Sequence, residues 1–377
     1  MDRGGIRNAF RRVARWALLA GVCLLTLETA ARVDDWLSYG APVLGNYDID
    51  QLFQATAAGL RGVPNGRYAK WVLNSQGYRG PEIRADRGQI RVVTYGASET
   101  FGIYEDPGQE FSRVLERDLN ATVHTTAFEV VNAGIPGMRV GSGISFLREI
   151  GATLHPKAVI IYPTPTHYIG VTRPYCGRPA LSASVPERQP AELRVLAKAR
   201  DRLKELLPPT VLTWARKAQI AWDVRDRTVL DDVATPSLEA FRLDLECAVR
   251  ASREIGAVPI VVTHANRFAT TASPDDDYWL TGWRLQYPLL RQQGLLQLET
   301  RANAVIRSVA REQAVPLVDA ASALSGDTRN FADHAHFTDA GSARMASLLA
   351  AAVLRALNDV PLPERSAGLT AGENRRR

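Results

Sequence analysis

The sequence predicts a three-layer α/β/α sandwich built on a five-stranded parallel sheet and preceded by an N-terminal membrane helix. Three observations carry this. Between residues 89 and 358, short apolar runs alternate with longer segments of helical period, the pattern of parallel strands joined by covering helices. Each run is followed by its own helix, so the carboxyl ends of the strands gather at one edge, where open α/β sheets hold their ligands. Ahead of this domain, Arg3, Arg7, Arg11, Arg12 and Arg15 precede the apolar run Trp16–Leu27. The chain has 377 residues, of which 46% are hydrophobic and 23% charged, enough for a full core and unlike a disordered chain.

The first predicted strand, Arg91–Tyr95, is followed by a helix over Glu110–Leu119. Phe128–Val131 is the second strand and Ile144–Leu154 the next helix. Ala158–Tyr162 is the third strand, with Pro156 just outside it. Apolar residues at Phe241, Leu245, Val249 and Ile255 mark a helix over Ser237–Ile255, which Gly256 stops. Pro259–Thr263 is the fourth strand, Leu298–Glu312 a helix, Val315–Val318 the fifth strand, and Asp339–Leu357 the last helix, capped by Thr338 and Asp339. Residues 170–236 interrupt the alternation as a helical insertion. In it Ala191–Leu207 is basic and amphipathic, Pro208-Pro209 ends it, and Val211–Trp222 forms a second segment. This pair reads either as a lid or membrane-surface element or as helices packed on the domain with a solvated basic face. Residues 34–88 read as linker and entry segment with one strand-like run at Tyr68–Leu73, and 359–377 as a disordered tail.

Residues 1–33 form a basic tail and anchor. Val13–Ala31 approaches the length of a bilayer span if Glu28 sits at the far interface, and the five preceding arginines place the N-terminus in the cytoplasm and the bulk of the chain outside it, on the periplasmic side of a bacterial inner membrane. The competing reading is a cleaved signal peptide ending at Thr29-Ala30-Ala31. The net charge of +6 is concentrated in this tail and in Arg375–Arg377, and no nucleic-acid module is present, so a nucleic-acid partner is not expected. Cys23 lies in the anchor. Cys176 and Cys247 could pair in an oxidising compartment or remain separate buried thiols, and the reading leans to thiols. No Cys/His cluster has metal-ligand spacing, so neither metal nor cofactor is expected.

The chemistry is carried by two segments. Val92-Val93-Thr94-Tyr95-Gly96-Ala97-Ser98-Glu99-Thr100-Phe101 is a strand ending in a small-residue turn that presents Ser98 and the backbone N–H groups after it. Asp333-His334-Ala335-His336 supplies a carboxylate and an imidazole three residues apart, the base and its orienting acid that a serine nucleophile needs. His336 is preferred to His334 as base because the spacing lets Asp333 reach its other ring nitrogen. Asp339 reads as a helix cap, and His124 and His155 as loop residues.

These two blocks, in this order, resemble the SGNH (GDSL) hydrolase superfamily. Ala97 stands where the family usually has aspartate. Val131-Asn132-Ala133-Gly134-Ile135-Pro136-Gly137 is similar to the second family block, and Leu73-Asn74-Ser75-Gln76-Gly77-Tyr78-Arg79-Gly80-Pro81 to a lead-in of envelope-anchored members. The resemblance spans residues 64 to 355. It implies a flavodoxin-like fold and ester chemistry, with Ser98 as nucleophile, His336 as base, Asp333 as its partner, and an oxyanion hole formed by Ser98, Gly137 and Thr166. Thr166 falls where the third block of the family, here Tyr162-Pro163-Thr164-Pro165-Thr166-His167, usually has asparagine. The implied substrate is an acyl ester, with acylated carbohydrate or envelope glycan as the class suggested by location. The same machinery could pass the acyl group to a sugar hydroxyl, and the rival reading is a non-catalytic glycan-binding or assembly protein. His264, Trp279 and Trp283 lie beyond the fourth strand as candidate substrate contacts. Against that, His264 could be a buried structural histidine and the tryptophans could fill a local core.

Overall fold

The computed structural model describes residues 3–44, 49–56, 59–85, 88–123, 127–178, 193–268 and 273–358. His124, residues 179–192 of the insertion and the tail 359–377 lie outside them. Five parallel strands, β5 (Ile90–Gly96), β6 (Phe128–Asn132), β7 (Ala158–Tyr162), β8 (Val258–Val262) and β9 (Leu317–Val318), form one sheet in the order β6-β5-β7-β8-β9. This is the doubly wound arrangement in which chain direction across the sheet reverses beside the first strand.

Alternate residues of each strand feed the two covering layers, as the period-2 pleat requires. Val93, Tyr95, Val159, Ile161 and Val261 pack with α4 (Ile144–Leu154), α7 (Thr235–Glu254) and α9 (Gln292–Glu312). Val92, Val130, Ile160, Tyr162, Ile260 and Val262 pack with α3 (Phe111–Thr122) and α11 (Asp339–Ala356). Thr338 caps α11, its hydroxyl accepting from Gly341 N–H at 3.1 Å. The strand and helix predictions hold to within a few residues, except that α9 begins at Gln292 rather than Leu298 and β9 is only two residues long.

Two regions differ from expectation. The described residues of the linker and entry segment 34–88 are packed structure. The segment opens as the end of α1 (Arg3–Tyr39), then forms two small antiparallel sheets, β1/β2 (Phe53–Thr56, Gly59–Gly62) and β3/β4 (Arg67–Tyr68, Trp71–Val72). Ala41, Leu52, Tyr68 and Leu73 from this segment bury Phe101, and Arg79 donates to the Phe101 and Gly102 carbonyls. The entry segment therefore clamps the turn that carries Ser98. Such short strands are set by turns and by what they pack on, and they carry little periodicity of their own.

The second difference is covalent. Cys176 and Cys247 are joined in a disulfide with Cα atoms 6.2 Å apart, which overturns the reading as separate thiols. The insertion contributes α5 (Arg194–Leu206) and α6 (Pro209–Asp223). α5 docks on α1: Glu28 accepts from Val195 N–H, Asp35 pairs with Arg194 at 2.7 Å, and Lys198 reaches both Asp34 and Asp35. Among the described residues α1 is the one helix long and apolar enough to cross a membrane, and its large side chains from Val13 to Leu27 are exposed.

Candidate active site

β5 ends at Gly96, where the chain must turn within contact of its neighbours. A Cβ at Gly96 would lie 2.2 Å from Thr100 Oγ1 and 2.5 Å from the Tyr162 carbonyl oxygen, so only glycine lets the strand run into the next turn. That turn, α2 (Ser98–Phe101), is a single helical turn, and the site relies on individual N–H groups more than on a helix dipole. The loop after β6 approaches equally closely. A Cβ at Gly134 would meet Phe101 N at 2.3 Å, and Gly137 adopts φ +76° at an exposed bend. Among the described residues, the N–H groups of Ser98 and Gly137 donate to no protein acceptor.

On the opposite side, residues 331–337 form a tight loop closed by an antiparallel bridge between Phe331 and Phe337 and by Ala332 N–H donating to the His336 carbonyl. Asp333 Oδ1 accepts from the N–H groups of Ala335 and His336, each at 2.9 Å, and Asp333 Oδ2 lies 2.8 Å from His336 Nδ1. His336 Nε2 lies 2.9 Å from Ser98 Oγ. Ser98, His336 and Asp333 are thus one continuous hydrogen-bonded chain. Burial opposes a charge on either partner, but their mutual hydrogen bond and charges win. The Asp333 carboxyl is held well below the usual range, and the His336 imidazole is raised. His334 is stacked on Trp283 with ring centroids 5.1 Å apart, and burial lowers its pKa to about 4, so it stands neutral beside the chain.

A second polar network lies behind the serine. Glu99 is 3% exposed, with Oε2 at 3.2 Å from Ser98 Oγ and accepting from Thr164 Oγ1 at 3.0 Å. Its Oε1 faces His264 Nε2 at 3.2 Å, and His264 Nδ1 faces Glu299 Oε2 at 2.8 Å. Although burial works against it, the two carboxylates raise the His264 pKa to about 10, and His264 in turn helps hold Glu99 well below the usual carboxylate range. Tyr162 stacks on the His264 ring at 5.4 Å, and Asn303 ties down its backbone.

This arrangement corrects two expected contacts. His264 is 1% exposed with both ring nitrogens bonded to carboxylates, so it has no free edge for a substrate. Trp283 is also 1% exposed, sandwiched between Phe268 and His334, and offers no face to a sugar. Trp279 is half-buried, with the Arg267 guanidinium over its ring at 4.5 Å. Thr166 is 5% exposed on the 3₁₀ turn Pro165–Tyr168, its hydroxyl within reach of the Tyr287 phenol. His155 is exposed at the end of α4, and Asp339 accepts from Asp106 N–H at the start of α11.

The sequence alone does not single out Glu99, Thr164 or Glu299, though α9 carries one signal. Glu299 sits in the inward stripe Leu295, Leu298, Ala302, Ile306 of α9, where a carboxylate needs a buried partner.

The chain is similar to solved structures at low identity. A lipase/acylhydrolase from Enterococcus faecalis shares 16% identity with a TM-score of 0.42, covering 73% of this chain and 99% of that one. A psychrotrophic esterase from Pseudoalteromonas sp. shares 9% with a TM-score of 0.41, covering 72% and 100%. An acetyl xylan esterase shares 13% with a TM-score of 0.40, covering 70% and 100%. No family model and no curated protein matches the chain.

Proposed function

We propose that this chain is a membrane-anchored serine ester hydrolase of the SGNH type whose catalytic domain lies outside the cytoplasm. The observation that carries the reading is the continuous Ser98–His336–Asp333 chain, together with the N–H groups of Ser98 and Gly137, which donate to no protein acceptor among the described residues. Ser98 Oγ attacks the carbonyl carbon of an acyl ester while His336 Nε2 takes its proton, and the charge that develops on the imidazolium is balanced by Asp333. The carbonyl oxygen becomes an oxyanion held by the N–H groups of Ser98 and Gly137. His336 then protonates the departing alcohol, and a water activated by the same imidazole hydrolyses the acyl-enzyme, restoring Ser98. The disulfide between Cys176 and Cys247 and the arginines ahead of the apolar run at Trp16 support the placement, since such bonds persist in oxidising compartments and basic flanks stay in the cytoplasm.

The test uses the full-length protein in detergent with a fluorophosphonate probe and a short-chain aryl ester. The wild type is expected to be labelled at one serine and to turn the ester over, with both properties lost in Ser98→Ala. Labelling that persists in Ser98→Ala, or a wild type inert to both reagents, overturns the reading.

A further inference from the structure

Ser98 Oγ has one proton and two acceptors. His336 Nε2 lies at 2.9 Å and Glu99 Oε2 at 3.2 Å, so the hydroxyl cannot donate to both at once. Which acceptor receives the proton depends on His336. When the imidazole carries protons on both nitrogens, Nε2 is a donor to Ser98 Oγ, and the serine proton must turn to Glu99. When Nε2 is bare, the serine can donate to it, which is the arrangement that permits attack.

Glu99 is built for this position. Its carboxylate is fixed by Thr164 Oγ1 on one oxygen and His264 Nε2 on the other, and His264 is itself backed by Glu299. Both nitrogens of His264 face carboxylate oxygens, so the ring carries both protons when the two acids are ionised. The trio Glu99, His264 and Glu299 then bears one net negative charge beside the nucleophile. We propose that Glu99 is a positioning residue for the nucleophile: it holds the Ser98 proton while His336 is protonated and, through its charge, sets the pH at which His336 is freed to accept that proton. This rests on the serine-hydrolase reading of the site.

Other groups face the same imidazole and must be counted. Asp333 lies on its own loop, and the Tyr104 ring is 5.5 Å away. Glu105 follows α2, accepts from Ser342 Oγ at 2.7 Å, and is pushed by burial up to about 7. His334 stands neutral behind it. Around Glu99 the charged or titratable neighbours are His264, His336, His334 and His167, the last held down by burial, and the phenols of Tyr162 and Tyr287. Of the carboxylates, Asp333 bonds His336 directly and Glu99 is linked to it through the serine oxygen.

The experiment follows the pH dependence of two readouts in the full-length protein: the rate of fluorophosphonate labelling and kcat/KM for an aryl ester. Glu99→Gln keeps the side-chain shape and leaves His264 and Glu299 as a paired neutral unit, so the fold is expected to survive; circular dichroism checks this. The acid-side midpoint of both profiles should fall by roughly 0.5–1 unit when the negative charge is removed, and the high-pH plateau should drop several-fold. Glu105→Gln is the control for charge at longer range and should move the midpoint less. A direct titration of the His336 ring by NMR should show the same downward shift. A plateau loss with no movement of midpoint or ring titration means a purely structural role and overturns the proposal, as does a shift matched in full by Glu105→Gln. Absence of labelling at every pH in the wild type instead defeats the serine-hydrolase reading itself.

Discussion

Two of the imidazoles around Ser98, His336 and His264, are held in opposite ways. His336 is half-buried, three residues from its carboxylate, on a loop closed by its own backbone bonds. His264 is almost wholly buried, and its partners come from two other elements, Glu99 beside β5 and Glu299 on α9. The first can gain and lose a proton at the edge of solvent, as acid–base work requires. The second is locked between two carboxylates and keeps its charge. Proximity to a serine hydroxyl therefore does not fit a histidine to act as a base; the number of fixed partners and the access to water decide it.

The comparison can be broken by mutating each system separately. Asp333→Asn should cost the most in catalysis, a fall of about 10³- to 10⁴-fold in kcat. Its oxygen can still accept from the Ala335 and His336 N–H groups, so the loop is kept while the amide favours the wrong tautomer of His336. Aryl ester kinetics with a parallel urea denaturation will check it, and the stability should change little.

His264→Leu should do the reverse. Without the cation, two buried carboxylates face each other unpaired, which costs about 3–5 kcal/mol of stability. The pH dependence sharpens the point. His264 has a folded pKa of about 10 against an ordinary value of 6.5, so the stability it adds is complete below about 6.5 and is lost as pH rises through about 10. Denaturation midpoints at neutral pH and near pH 10 should converge for wild type and variant at the higher value. Equal gaps at both would mean that His264 does not hold the extra proton.

The smallest effect is expected at Thr166. Its hydroxyl lies near Tyr287, and Thr166→Val should lower kcat by less than about tenfold; a loss of 10²- to 10³-fold, typical of an oxyanion donor, would return it to that role.

The difference between the two imidazoles also explains what the sequence disclosed. Asp333 and His336 share one short loop, so their pairing was legible from spacing, and Ser98 was legible because a strand ending in Gly-x-Ser has few geometries. The parallel strands and their helices were legible from alternation. Glu99, His264 and Glu299 meet only after β5, β8 and α9 are stacked, and nothing local to any one of them names the other two. Placing Thr166 on the oxyanion followed the position of a family asparagine. The same turn, from Pro163 to Tyr168, directs the Thr164 hydroxyl toward Glu99, a contact no family position points to. The entry segment escaped because its strands have two to four residues, too few to show a period.

The bond between Cys176 and Cys247 joins positions 71 apart and carries α5 and α6 between them. Topologically residues 176–247, which hold α5, α6 and the first half of α7, form a closed ring. A single cut of the backbone anywhere inside that ring leaves both pieces covalently attached, and the distance its ends must span stays fixed by the sulfur bridge whatever its contour length. A change in the contour length of the ring leaves the gap between its two ends set by the bridge, and its closure entropy grows only slowly with length.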